Sequence, residues 1–205
     1  MGKCVGDKNL YTDIEFCQGS KSMPGVRDHF YYVRRRDIMV FPKPQGTEAA
    51  SIKDVAVIKD DFVLAEDAKF LKVSLVPNES EVTSESQGSY GCKTFLNKTP
   101  LVLPGTEEEN TGFIAMLNND DIVALVPQRN GKLRVFGNEA FQVGVNPSQG
   151  SGKSETDSNT TTVELSVTDE YPAPFYQGKF LTSDGYVDGK TDTIISDQNE
   201  GGANG

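Results

Sequence analysis

One histidine, His29, occurs in the 205 residues, so any reaction that calls for an imidazole base must run through it. It opens the run His29-Phe30-Tyr31-Tyr32-Val33, which reads as a strand, and no Gly-x-Ser-x-Gly elbow stands elsewhere to offer a serine nucleophile. A packed or surface histidine is the simpler reading. Gly150-Ser151-Gly152-Lys153-Ser154 ends like a phosphate-binding P-loop. The first glycine belongs at position 147, however, which is Pro147, and no apolar helix follows Ser154 to lend its N-terminus to phosphates. Asp184, Asp188 and Gly189 share part of the spacing of a calcium loop, but Tyr186 holds its third position and Ile195 its twelfth, where a glutamate belongs. A turn is the better account. Cys4, Cys17 and Cys92 make neither an even disulfide set nor a CxxC pair, and one histidine does not complete a zinc site with them. They fit a reducing compartment, and spacing alone leaves open whether Cys4 and Cys17 pair. Carboxylate pairs of the glycosidase kind stay hidden among 30 acids. The chain is read as a non-enzyme with no catalytic residue, no cofactor and no metal.

Charge narrows the partners. Residues 1–44 carry 8 Lys/Arg against 5 Asp/Glu, a balance of +3, while residues 45–205 carry 12 against 25, or −13, within a net charge of −10. So acidic a body repels nucleic acid, whose binding depends on Lys and Arg neutralising phosphates. Arg34-Arg35-Arg36 is the one basic cluster, and three adjacent charges read as a solvated edge. Residues 1–7 hold no apolar run of the kind a secretory signal needs, and no stretch nears the 18 or so apolar residues of a membrane helix. A soluble protein without a membrane anchor is expected.

The elements that would position any site are mostly strands. Apolar residues make up 36%, with 20 Gly, 10 Pro and no Trp, so turns must break the chain often. Short strands are predicted at Phe30 to Val33, Ile38 to Phe41, Val55 to Ile58, Phe62 to Leu64 and Phe70 to Val76. Further strands are predicted at Ile122 to Val126, Lys132 to Phe136 and Thr162 to Val167. In the last of these Val163, Leu165 and Val167 should point inward. Asn130-Gly131 predicts a type I′ hairpin, and Pro127 places its strand at a sheet edge or bulge. Residues 77–91 are too polar to bury and should protrude as a loop or hairpin tip, and residues 146–159 form a second polar stretch. One helix is expected after Thr106-Glu107-Glu108-Glu109, a capping box with Thr106 as N-cap, and its apolar stripe is Phe113, Met116 and Leu117. The organisation reads as an entry arm at 1–44, a core domain at 45–180, and a C-terminal extension at 181–205 that is flexible from 197.

This order of elements, a long polar-tipped hairpin, a capped helix, an Asn-Gly hairpin and an alternating strand, resembles the tail-tube fold of long-tailed bacteriophages. The wording is also similar to structural proteins of Bacteroidetes phages and prophages. The likeness runs from Glu85-Ser86-Gln87-Gly88 through Pro104-Gly105-Thr106 and Gly131-Lys132-Leu133-Arg134-Val135-Phe136-Gly137-Asn138 to Tyr171-Pro172-Ala173-Pro174-Phe175-Tyr176. It implies a mainly β protein, a β-sandwich or barrel with one flanking α-helix and a long protruding hairpin loop. It further implies a virion protein that self-assembles into stacked hexameric rings, forming the tail tube through which DNA passes without specific binding. Partners would be copies of itself and other tail proteins. The protruding loop would contact another subunit through Glu79, Glu81, Glu85 and Tyr90. A capsid decoration or head-fibre protein is the nearest alternative. A carbohydrate-binding sandwich would need aromatic platforms, for which Tyr31, Tyr32, Tyr171 and Tyr176 are the candidates, and an acid-pair hydrolase comes last.

Overall fold

The computed structural model describes residues 10–15, 17–19 and 22–195. The question of a Cys4–Cys17 bond, and the terminus from 197, lie outside the described residues. The chain forms β1 (His29–Arg34), β2 (Ile38–Val40), β3 (Val57–Ile58), β4 (Val63–Leu64), β5 (Leu71–Ser74), β6 (Thr83–Gln87) and β7 (Thr94–Pro104). The helix α1 (Glu108–Leu117) follows. After it come β8 (Ile122–Pro127), β9 (Leu133–Phe136), β10 (Gly144–Gly150), β11 (Thr160–Asp169), β12 (Phe175–Tyr176), β13 (Lys179–Thr182), β14 (Gly185–Asp188) and β15 (Thr193–Ile195). The fold is mainly β, with one α-helix among the described residues.

Strand β8 organises the rest. All six of its residues are buried, and none is polar, so it cannot lie in a sheet with a wet face. It runs inside a six-stranded sheet of order β3-β12-β9-β8-β1-β5. One face, with Ile122, Ala124 and Val126, shares a core with Phe30 of β1, Leu101 and Leu103 of β7, Leu117 of α1, and Val163, Leu165 and Val167 of β11. The other face, with Val123 and Leu125, packs on Phe62, Phe70, Tyr176, Phe180 and Val187. The first core is closed by a four-stranded sheet of order β10-β11-β7-β6, and Val163, Leu165 and Val167 point inward as their alternation predicts. The second is closed in part by the three-stranded sheet β13-β14-β15. Both cores therefore cross the divisions at 44 and 180: β1 supplies a central strand, and Phe180 and Val187 supply buried core.

Several local expectations change. Pro127 is the last residue of an interior strand, where its missing N–H costs little and its carbonyl accepts the Arg27 N–H at 2.9 Å. The hairpin at Asn130-Gly131 forms, but the Gly131 N–H bonds back to Gln128 O at 2.8 Å, and Gly131 has φ +85° while Asn130 is not in the left-handed region. That is a three-residue loop with a type I turn and a glycine bulge, not a type I′ turn. The helix begins at Glu108 with Glu107 as its cap, and no side chain caps it. Thr106 is one residue too early, and its carbonyl accepts from Thr111 Oγ1 at 3.1 Å. Leu117 is buried and Phe113 and Ile114 half-buried, whereas Met116 is 76% exposed, so the apolar stripe runs through 113, 114 and 117. Strand β5 is a sheet edge, with Leu71, Lys72 and Ser74 exposed, so neither of its faces is uniformly buried.

These positions make a paired prediction. Leu125→Ala, at a fully buried site between the two covers, should lower unfolding free energy by about 2–5 kcal/mol. Met116→Ala should stay within about 0.5 kcal/mol. Urea titration followed by circular dichroism measures both, and equal losses would contradict the orientation of α1.

Candidate functional site

The single histidine finds carboxylates on both sides. Arg27, His29 and Tyr31 are spaced by two along an extended segment, so their side chains share one face. All three converge on Asp192, in the turn between β14 and β15. Arg27 Nη1 lies 2.6 Å and His29 Nε2 3.1 Å from Asp192 Oδ2, and Tyr31 Oη donates to Oδ1 at 2.9 Å. The second ring nitrogen of His29 lies 2.9 Å from Asp28 Oδ1. The Asp192 side chain has no exposed surface. Its backbone is left-handed, at φ +56°, and held by its own N–H to Asp188 O at 2.8 Å. Aspartate is among the few residues that take that conformation readily.

The electrostatics follow from this enclosure. Burial pushes the Asp192 carboxyl up, and hydrogen bonds and charge from His29, with hydrogen bonds from Tyr31 and Arg27, more than offset it, leaving it below the ordinary carboxylate value. Burial raises the Tyr31 phenol, and the Asp192 charge raises it further. The hydrogen bond from His29 holds Asp28 low. A recess of about 280 Å³ beside the cluster is lined by His29, Tyr31, Lys72, Thr182 and Asp184. Both oxygens of the central carboxylate are taken up within the protein. The arrangement ties the three-stranded sheet to the first strand.

The other motifs resolve into turns. At residues 153–154 the two backbone N–H groups that would face a phosphate donate instead to Asp157 Oδ2, at 2.8 and 2.9 Å. Asp188 accepts from Lys190 N at 3.0 Å and Thr191 Oγ1 at 3.3 Å, and Thr182 Oγ1 donates to Gly185 O at 2.8 Å, which closes the β13–β14 turn. No group of three metal-ligating side chains forms among the described residues. Cys17 and Cys92 are free and exposed.

The surface features are more distinctive. Segment 77–91 is only in part a loop: Thr83–Gln87 is β6, paired antiparallel with Thr94–Lys98, and the protruding tip is residues 88–93. Glu79, Glu81 and Glu85 are exposed at separate points along this segment, and Tyr90 is 99% exposed at the tip, so the four do not form one cluster. Part of the second polar stretch, Asn146 to Gly150, lies in edge strand β10, where Pro147 is tolerated. The four-stranded sheet turns its other face outward. There Thr83, Glu85 and Gln87 lie beside Leu96, Lys98, Pro100 and Val102, then Thr162, Glu164 and Ser166, then Asn146 and Ser148, so polar side chains flank a central strip that is partly apolar. Its charged groups are few and of both signs, and neither β6 nor β10 has a strand on its outer side among the described residues.

A cleft of about 440 Å³ opens where residues 169–174 leave β11. That loop is fixed from behind. Asn97, fully buried on β7, donates to Tyr171 O at 3.0 Å and accepts the Ala173 N–H at 2.9 Å. Arg134 stacks 3.6 Å from the Phe175 ring centre and donates to Ala173 O at 2.8 Å. Of the aromatic platforms considered, Tyr31 and Tyr176 are buried, and Tyr32 and Tyr171 are half-buried. Asp192 and the cleft are absent from sequence reasoning. The first sits in a polar turn with no motif, and the second is assembled from five separate segments.

Compared with known proteins, the chain matches no family model, no curated protein sequence and no solved structure.

Because Asp192 is held below its ordinary value of 3.8, its contribution to stability is complete above about pH 4 and is lost as pH falls through the lower folded-state value. The melting temperature of the wild type should therefore fall more steeply below about pH 4 than that of Asp192→Asn. At pH 7, Asp192→Ala should cost about 3 kcal/mol, by leaving the largely buried His29 ring and the part-buried Arg27 guanidinium without their acceptor. Thermal melts across a pH series measure both, and parallel curves would count against the cluster as a structural tie.

Proposed function

We propose that this chain is a structural virion subunit that assembles with copies of itself into stacked hexameric rings, forming the tail tube of a long-tailed bacteriophage, with other tail proteins at the ends. The reading treats the two larger sheets as a β-sandwich whose four-stranded sheet lines the channel. The observation that carries it is the pair of open edges, β6 on one side and β10 on the other, on a sheet whose outward face is polar on its three strands other than β7. An unpaired edge is a template for pairing with another chain, and closing a ring of copies removes it.

The outward face also suits passage of DNA. Hydroxyl and amide side chains flank the Leu96, Pro100 and Val102 strip, and Lys98 stands near Glu85 and Glu164, so no array of cations lies on it among the described residues to hold phosphates. The net charge of −10 resides mostly elsewhere on the molecule. Low affinity thus comes from a nearly neutral wall more than from a dense acidic one.

Negative-stain microscopy and sedimentation velocity on the purified chain test the reading. Six-fold rings or tubes are expected. Isolated trimers would favour a capsid decoration role, and a particle that stays monomeric at every concentration would end the proposal. Placing lysines on one edge, Asn146→Lys with Ser148→Lys, should abolish assembly while changing unfolding free energy by less than about 0.5 kcal/mol.

A further inference from the structure

The 440 Å³ cleft and the hairpin tip are complementary in chemistry. Phe41, Phe62, Tyr171, Pro42 and Pro174 make the cleft walls apolar. Two polar side chains of its lining, Asn138 and Asp169, are already bonded to the protein. Asn138 Nδ2 donates to Thr168 O and Asp169 Oδ2, and its Oδ1 accepts the N–H groups of Ala140 and Phe141. Asp169 Oδ1 accepts the Tyr171 N–H. Arg35, whose guanidinium lies 5.1 Å from the Phe41 ring centre, donates to the carbonyls of Asn138, Glu139 and Phe141. A polar metabolite would lose its water there and find these side chains engaged, whereas an apolar ring would not. The mouth carries exposed Glu139 and Glu170, with Lys43 paired to Glu139 at 3.1 Å, so it is acidic on balance.

The same chain displays an aromatic ring that no described residue covers. Tyr90 is 99% exposed, yet its backbone is built. The Cys92 N–H bonds to Ser89 O at 3.0 Å, and Gly91, at φ +87°, takes the left-handed corner, which places Tyr90 at the first central position of the turn. Gly88, at φ +91°, lets the strand approach so closely that an added Cβ would stand 2.7 Å from Cys92 O. Lys93 is exposed in the same hairpin tip.

We propose that Tyr90 of one copy fills the Phe41/Phe62/Tyr171 cleft of a neighbouring copy, with Lys93 facing Glu139 and Glu170 at its mouth. The inference rests on the self-assembly reading above and names where the protruding hairpin lands. Each copy gives one knob and takes one. Unless two copies exchange knobs about a two-fold axis, a contact of that kind is heterologous, and it closes into a ring or propagates as a filament.

The test uses the full chain with Cys4, Cys17 and Cys92 replaced by serine, so that each species carries one thiol. Differently tagged Tyr90→Cys and Ala140→Cys chains are mixed, oxidised gently and analysed by mass spectrometry, with Met116→Cys as the control partner. A 90–140 disulfide well above the 90–116 control is expected. Tyr90→Ala should raise the concentration at half-assembly by about 30-fold or more, as loss of a buried aromatic anchor does, while Tyr90→Phe stays near wild type. Lys93→Glu should weaken assembly, and Glu170→Lys in the same chain should restore it. If rings or tubes form normally with Tyr90→Ala, or if Tyr90→Cys links only to itself, the knob assignment falls and the assembly reading stands. If the wild type never assembles, both fall.

Discussion

Six buried positions in a row on β8 impose the constraint from which the architecture follows. Ile-Val-Ala-Leu-Val-Pro has no polar residue to offer to water on either face, so the sheet containing it must be covered twice. One cover is the four-stranded sheet with α1; the other is assembled from the 38–70 region and the C-terminal strands. Each cover in turn has a surface of its own that faces away from the core. The outer face of the four-stranded sheet and the cleft beside β11 are both by-products of that double covering.

Strand positions with strong apolar patterning were legible without coordinates. Val163, Leu165 and Val167 alternate with Thr162, Glu164 and Ser166, and the structure buries the first three at 2% exposure or less. Polar strands were not legible. Thr83–Gln87 and Gly144–Gly150 contain one apolar side chain between them, Val145, besides Pro147, and both are strands because they lie along longer, better patterned partners in β7 and β11. Tertiary pairing overrides local propensity there. The helix start moved by one residue for a related reason: composition at Thr106 to Glu109 favours a cap but does not fix which residue first takes helical geometry.

Of the candidate chemistry, the sequence pointed to His29 and gave no hint of its partner. Asp192 lies 163 residues away, in a segment of Asp, Gly, Thr and Lys that reads as a solvated turn. What burial adds is a change of role. A carboxylate with three side-chain donors is a joint between sheets, and the histidine that looked like a possible base is one of the joined parts. Similarly, the P-loop-like glycines curl around Asp157, so a carboxylate of the chain occupies the place a phosphate would take.

The tie between Arg27, His29, Tyr31 and Asp192 joins residues 161 to 165 positions apart, and β1 must also wait for β8, some ninety residues later, before it has a neighbour on that side. Loops of that length close slowly, because chain entropy is lost before contacts reward it. During synthesis the first strand therefore leaves the ribosome long before its place in the sheet exists, and its Tyr31 side stays incompletely covered until Phe180 and the turn at Asp192 arrive. A chain truncated before residue 192 would hold every strand of the six-stranded sheet yet lack the fastening that joins its first strand to the β14–β15 turn.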